Sequence, residues 1–164
     1  MTSDGSIAST PLCIVQIELA KTAPVVIGQT PWRNRRHSAI VGGSLTGERL
    51  SGTVLPEGGD WSELGIEPDG SAVTLLDVNS VWKTHDGALI HVRYSGRLHI
   101  PAAILPQFRD PNQISNLTTD QYYFRIQPTF ETADPRYGWL NRLVAIGFGR
   151  RTATGVTYEV HAID

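Results

Sequence analysis

The chain carries a single cysteine among 164 residues, so it can close no internal disulfide and offers no thiolate cluster to a metal. That residue, Cys13, sits in an apolar alternating stretch and is expected to be an inert part of the core. Charge of one sign is also missing: 14 Lys and Arg stand against 16 Asp and Glu, for a formal net charge of -2. Neither a nucleic acid nor a membrane surface is therefore an expected partner, because both usually need a concentrated basic patch. The one basic cluster, Arg33-Asn34-Arg35-Arg36-His37, reads first as a solvated strand end and second as a phosphate or carboxylate contact. No apolar run approaches the roughly 20 residues of a membrane-spanning helix. Residues 1–10 lack the basic start and apolar run of a secretion signal, so a cytoplasmic protein is expected. No glycine-rich strand-to-helix loop marks a nucleotide site, and no serine stands in a nucleophile elbow. The five histidines show no tight ligand spacing, so neither a metal nor a cofactor is expected.

Short alternating strands separated by Gly- and Pro-rich turns are what the chain does contain. Pro11 to Lys21 places Cys13, Val15, Ile17 and Leu19 on one face, and Tyr122 to Phe130 does the same with Tyr122, Phe124 and Ile126. Val25 to Ile27 is a short or edge strand, Arg35 to Val41 runs into a bend at Gly42-Gly43, and Leu45 to Leu55 resumes a strand. Pro56 to Trp61 reads as a loop in which Asp60 caps a helical turn. Leu143 to Phe148 and Val156 to Ile163 form a closing hairpin. The strongest local signal is Asp86-Gly87 between two long strands, which predicts a two-residue type I′ turn. That turn pairs Thr84 with Leu89, Val81 with Val92 and Asn79 with Tyr94. Its apolar face then carries Val73, Leu75, Asp77, Asn79, Val81 and Lys83 beside Ile90, Val92, Tyr94, Leu98 and Ile100. The pattern is all-β, with a tail over residues 1–10 and one domain over 11–164, built as a barrel or sandwich.

The ordered motifs resemble one family from about Leu12 onward. They are Gly42-Gly43 with Gly47, Leu50 and Gly52; Pro56 to Trp61; Asp86-Gly87-Ala88-Leu89-Ile90; Tyr123-Phe124-Arg125; Phe130-Glu131; and Trp139-Leu140-Asn141. In this order they are similar to the domain of unknown function 3237 family. The chain departs from the family pattern at His85, where a second acid is common, and is longer between Trp61 and Asp69. The resemblance implies a single antiparallel β-barrel with a central cavity, lipocalin-like or allene-oxide-cyclase-like in closure, that often forms a homo-oligomer. For some members in natural-product pathways it also implies cofactor-free addition of a hydroxyl to an alkene.

Acid–base work in a closed pocket needs a base near the reacting oxygen and an acid near the carbon. Asp60 beside the Trp61 indole is the first candidate, because shielding from water disfavours the ionised carboxyl; a cap with a neighbouring packing residue is the plainer alternative. Asp77 and Tyr94 follow from the hairpin faces, with a hydrogen-bonded core pair as their alternative. Glu131 and Arg125 share a face with Tyr123; they line a polar lumen, or form a surface or subunit contact if Phe124 and its neighbours fill the barrel. Asp60, Asp77, Glu131 and Tyr94 are thus the catalytic candidates, and Arg49, Trp61, Asn79, Tyr123, Arg125 and Trp139 the substrate-binding ones. The function expected is a cofactor-independent lyase, hydratase, isomerase or cyclase acting on a small, oxygenated, largely apolar metabolite. A non-catalytic, lipocalin-like carrier of such a small molecule is the alternative.

Overall fold

A computed structural model describes residues 6–164. The strands are β1 (Ser9–Leu19), β2 (Val25–Gln29), β3 (Asn34–Thr46), β4 (Gly52–Asp60), β5 (Glu63–Ile66), β6 (Ala72–Thr84), β7 (Leu89–Ile100), β8 (Tyr123–Glu131), β9 (Ala145–Arg151) and β10 (Gly155–Ile163). Neighbours run antiparallel in the order β1-β10-β9-β8-β7-β6-β4-β3, and β3 pairs back onto β1 to close an eight-stranded barrel. β5 bridges β3 and β6, and β2 hangs from β3 as an edge strand. The expected barrel is therefore the fold observed.

Closure depends on β3 pairing with β4 on one edge and with β1 on the other. Its register slips between Ala39 and Gly43, and Gly43 takes φ +154° where a Cβ would run into the Gln16 carbonyl. Only glycine allows β1 to approach so closely, as the Gly-Gly bend predicts. The interior is filled at the hairpin end by Trp82, Phe130, Leu50 and Leu140, with Trp82 and Phe130 packed edge to face at 5.8 Å. The expected central hollow is thus occupied there by side chains. Pro101 to Asp120 carries short helical turns, among them α1 (Leu105–Arg109), from which Phe108 buries its ring edge-on against Tyr122 at 5.1 Å. No helix among the described residues is long and apolar enough to cross a membrane.

Several local expectations are corrected. The hairpin loop has three residues, His85-Asp86-Gly87, with Thr84 N–H donating to Ala88 O and Gly87 N–H to Thr84 O, both at 2.9 Å. Gly87 has φ +93° and Asp86 keeps a negative φ, so the turn is not type I′. Thr84 Oγ1 holds this alternative, donating to Asp86 Oδ1 at 2.6 Å and accepting Ala88 N–H at 2.8 Å. The register consequently pairs Asn79 with Arg93 and Val78 with Tyr94. A one-residue slip turns every side chain of one strand over. β7 keeps its expected inner face, but β6 buries Ala72, Thr74, Leu76, Val78, Ser80, Trp82 and Thr84 instead.

Pro56 to Asp60 belongs to β4, not to a loop, with the proline at an irregularity between Val54 and Gly58 where no ladder N–H is required. Asp60 therefore caps no helix, and Glu63 and Leu64 form β5. The strand expected over Leu45 to Leu55 is interrupted before Gly52 by a turn that contains Arg49. β1 begins at Ser9, inside the expected tail, where Thr10 Oγ1 donates to the Asp164 carboxylate at 3.0 Å; residues 1–5 lie outside the described chain.

Candidate functional site

Directly opposed residues in a ladder share a face, which locates the inward groups. Asp60 opposes Val78 on one side and Ser38 on the other, and Val78 opposes Tyr94. Val78 is 1 % exposed, so Asp60, Ser38 and Tyr94 point inward with it. Alternation along β3 adds Arg36, two residues from Ser38 and four from the buried Ile40. Along β9, Gly147, Gly149 and Arg151 follow the same face, with Arg151 opposite Val156; along β10 it is Val156, Tyr158 and Val160. The glycines leave room for neighbours: a Cβ on Gly149 would lie 2.5 Å from the Phe124 ring. Above the apolar half of the barrel there is thus a layer of Asp60, Arg36, Arg151, Tyr94 and Tyr158.

Tyr94 and Tyr158 are buried in this layer, and Asp60, Arg36 and Arg151 are partly buried. Burial raises the Asp60 carboxyl from its ordinary 3.8 to about 6, opposed by the Asp77 backbone N–H that it accepts at 3.3 Å and by the Arg36 charge. At neutral pH roughly one Asp60 in ten is then protonated, a population from which a carboxyl can both take and return a proton. Tyr94 and Tyr158 have rings 5.4 Å apart and tilted by 71°, with hydroxyls close enough to influence each other's proton affinity. Burial pushes both hydroxyls far upward, so they remain neutral donors. Burial disfavours the charge on Arg36 and Arg151, and the Arg36 charge acts further against that of Arg151. Among the described residues, three buried polar atoms have no partner: Arg36 Nε, Ser80 Oγ and Trp82 Nε1. Buried polar groups are normally hydrogen-bonded, and of these three Arg36 Nε is the one that lies in the polar layer.

The remaining candidates lie elsewhere. Asp77 points outward, its side chain 40 % exposed, 3.7 Å from Arg93 and 3.9 Å from Arg35, because the hairpin register turned its face over. Asn79 shares that outer face and meets His91 Nε2 at 3.1 Å. Glu131 is outside and 83 % exposed, 3.6 Å from His91 Nδ1. Glu131 and His91 border two outer grooves of about 510 and 380 Å³, the larger lined also by Val81 and Leu89. Tyr123 and Arg125 also face out, since Phe124 and Ile126 fill the barrel; Arg125 lies over both the Tyr123 and Phe148 rings. The Trp61 ring packs on His37 at 4.2 Å and is 42 % exposed, so it does not shield Asp60. Arg49 stacks on Trp139 at 3.9 Å beside the end opposite the polar layer. Asp60 and Tyr94 are thus the two candidates that meet inside. Arg151 and Tyr158 were not singled out and Arg36 was read only within the basic cluster Arg33 to His37, although the alternations Arg36-Ser38-Ile40 and Val156-Tyr158-Val160 carry the signal.

Comparison with known proteins follows the architecture. A family model described as "Protein of unknown function (DUF3237)" matches residues 8–163. A UPF0311 protein of Rhodopseudomonas palustris (strain TIE-1) is 34 % identical over 134 residues, which cover 79 % of this chain and 80 % of that one. The crystal structure of a beta-barrel like protein from Acinetobacter baumannii AYE superposes with a TM-score of 0.78 at 29 % identity, covering 100 % of both chains. That of an enzyme from Penicillium herquei superposes at 0.62 and 21 % identity, again over 100 % of both, and shares the fold.

Proposed function

The chain belongs to the DUF3237 family, and from that starting point we propose that its barrel is an acid–base catalyst for a small oxygenated metabolite. The chemistry is one that side-chain acids and bases carry unaided: addition of a hydroxyl or water to an activated double bond, or its reverse. The observation that carries the proposal is the inward Asp60 carboxyl, raised to about 6 and set in one layer with the neutral hydroxyls of Tyr94 and Tyr158. Ionised Asp60 takes the proton of the attacking hydroxyl as its oxygen bonds to the alkene carbon. Electron density then moves to the conjugated carbonyl oxygen, where a tyrosine hydroxyl and Arg36 stabilise it by hydrogen bonding and charge. Protonated Asp60 returns the proton to the adjacent carbon, which restores the catalyst. The likeness to an enzyme from Penicillium herquei is in keeping with a catalytic barrel.

The test begins with incubation of the protein in metabolite extracts, followed by mass spectrometry of bound and converted fractions. With a converted compound in hand, Asp60→Asn should lose at least ~10²-fold in turnover while still binding it, the usual contribution of a positioned acid–base group. Full turnover in Asp60→Asn would remove the residue from the mechanism. The unpartnered Arg36 Nε favours one second reading, since a binding donor needs no reaction. A carrier of this kind would return its ligand unaltered.

A further inference from the structure

The inner layer holds more positive than negative charge. Arg36 and Arg151 both face inward from β3 and β9, and Asp60 is the acid that acts on Arg36. Among the described residues Arg36 closes no salt bridge, whereas its neighbours Arg33 and Arg35 both pair with Glu63. Its Nε is buried without a partner. Arg151 donates from Nη1 to the Gly155 carbonyl at 3.1 Å, a neutral acceptor, so that contact leaves its charge uncompensated. Arg109, at the end of α1, adds a further cation in the neighbourhood of Arg36. Aromatic groups border this layer: the Tyr122 hydroxyl accepts Arg151 N–H at 3.3 Å, and the Phe108 ring lies edge-on to Tyr122.

We propose that Arg36 and Arg151 bind the carboxylate of a small organic acid whose conjugated or aromatic body packs toward Phe108 and Tyr122. A guanidinium presents a planar fork of donors that matches a carboxylate with two parallel hydrogen bonds, and in a site away from water such bonds are strong. Bringing in one negative charge balances the surplus cation and gives Arg36 Nε an acceptor. This inference rests on the proposed function in placing the carboxylate beside the proton-transfer group, Asp60, and names the class of substrate held there.

The experiment measures binding of trans-cinnamate, its neutral isostere cinnamamide, and inorganic phosphate to the full chain by calorimetry at low ionic strength. Cinnamate should bind at least tenfold more tightly than either of the others. Arg36→Gln and Arg151→Gln should each weaken cinnamate at least tenfold and leave cinnamamide unchanged. Should those variants not fold, nitrogen-detected NMR of the intact protein reads the same contact, as a downfield shift of the Arg36 Nε–H on adding cinnamate but not cinnamamide. Equal affinity for cinnamate and cinnamamide, phosphate binding as tightly as cinnamate, or an unmoved Arg36 Nε–H would overturn the proposal. Asp60→Asn separates the two claims, because removing its negative charge should tighten cinnamate binding whatever happens to turnover. If cinnamate binds as stated and Asp60→Asn turns over normally, the carboxylate site stands and the catalytic role falls. If turnover is lost and cinnamate does not bind, the reverse holds.

Discussion

A carboxyl kept in the barrel at a raised pKa must cost stability at neutral pH, and the size of that cost can be worked out. Asp60 rises from 3.8 to about 6, so its protonated form is the one the fold prefers. The stabilisation is fully present below the unfolded value and is lost as pH climbs through the folded one. At ~1.36 kcal/mol per pH unit the full effect is roughly 3 kcal/mol, of which about 1.4 kcal/mol disappears between pH 5 and pH 8. Asp60→Asn has no proton to lose and should escape this slope. In urea denaturation of both proteins at pH 5, 6, 7 and 8, the wild type should lose about 1.4 kcal/mol relative to the variant across the series. For a domain of this size that is a relative fall in Tm of about 3–6 °C. Taking the difference between the two proteins cancels every other titrating group. Parallel pH profiles would refute the reasoning, because they would mean that the Asp60 carboxyl ionises as if in water.

Other consequences follow from which face each side chain occupies. Asp77→Asn and Glu131→Gln alter carboxylates on the outer surface and should leave turnover of any converted compound within about twofold in steady-state kinetics, whereas a catalytic group would cost ~10² or more. Gly149→Ala drives a Cβ to 2.5 Å from the Phe124 ring and should destabilise the protein by about 1–3 kcal/mol in denaturant melts, through overpacking.

How far the sequence could be read depended on whether the deciding signal was local. Alternation in Pro11 to Lys21 and in Tyr122 to Phe130 located the inner faces of β1 and β8, because burial of one face imposes a period of two that nothing nearby disturbs. The hairpin was legible but its register was not. Asp-Gly suits a type I′ turn, yet the Thr84 hydroxyl, bonded to both Asp86 and Ala88, stabilises a three-residue loop instead. That single slip moved Asp77 and Asn79 from the expected lumen to the surface and brought Ser80 and Trp82 inside. Asp60 was found with the wrong cause: it is shielded by the opposing strands, while the Trp61 ring packs on His37. Arg36, Arg151 and Tyr158 come from strands far apart in sequence, and only barrel closure through the β1–β3 pairing gathers them.

The most direct measurement is a site-resolved titration of the Asp60 carboxyl by carbon-detected NMR, assigned by its loss in Asp60→Asn. A midpoint near 6 is the value expected of a carboxyl held out of water inside the barrel. A midpoint near 4, the value of a solvated aspartate, would contradict it and leave the layer without its acid–base group.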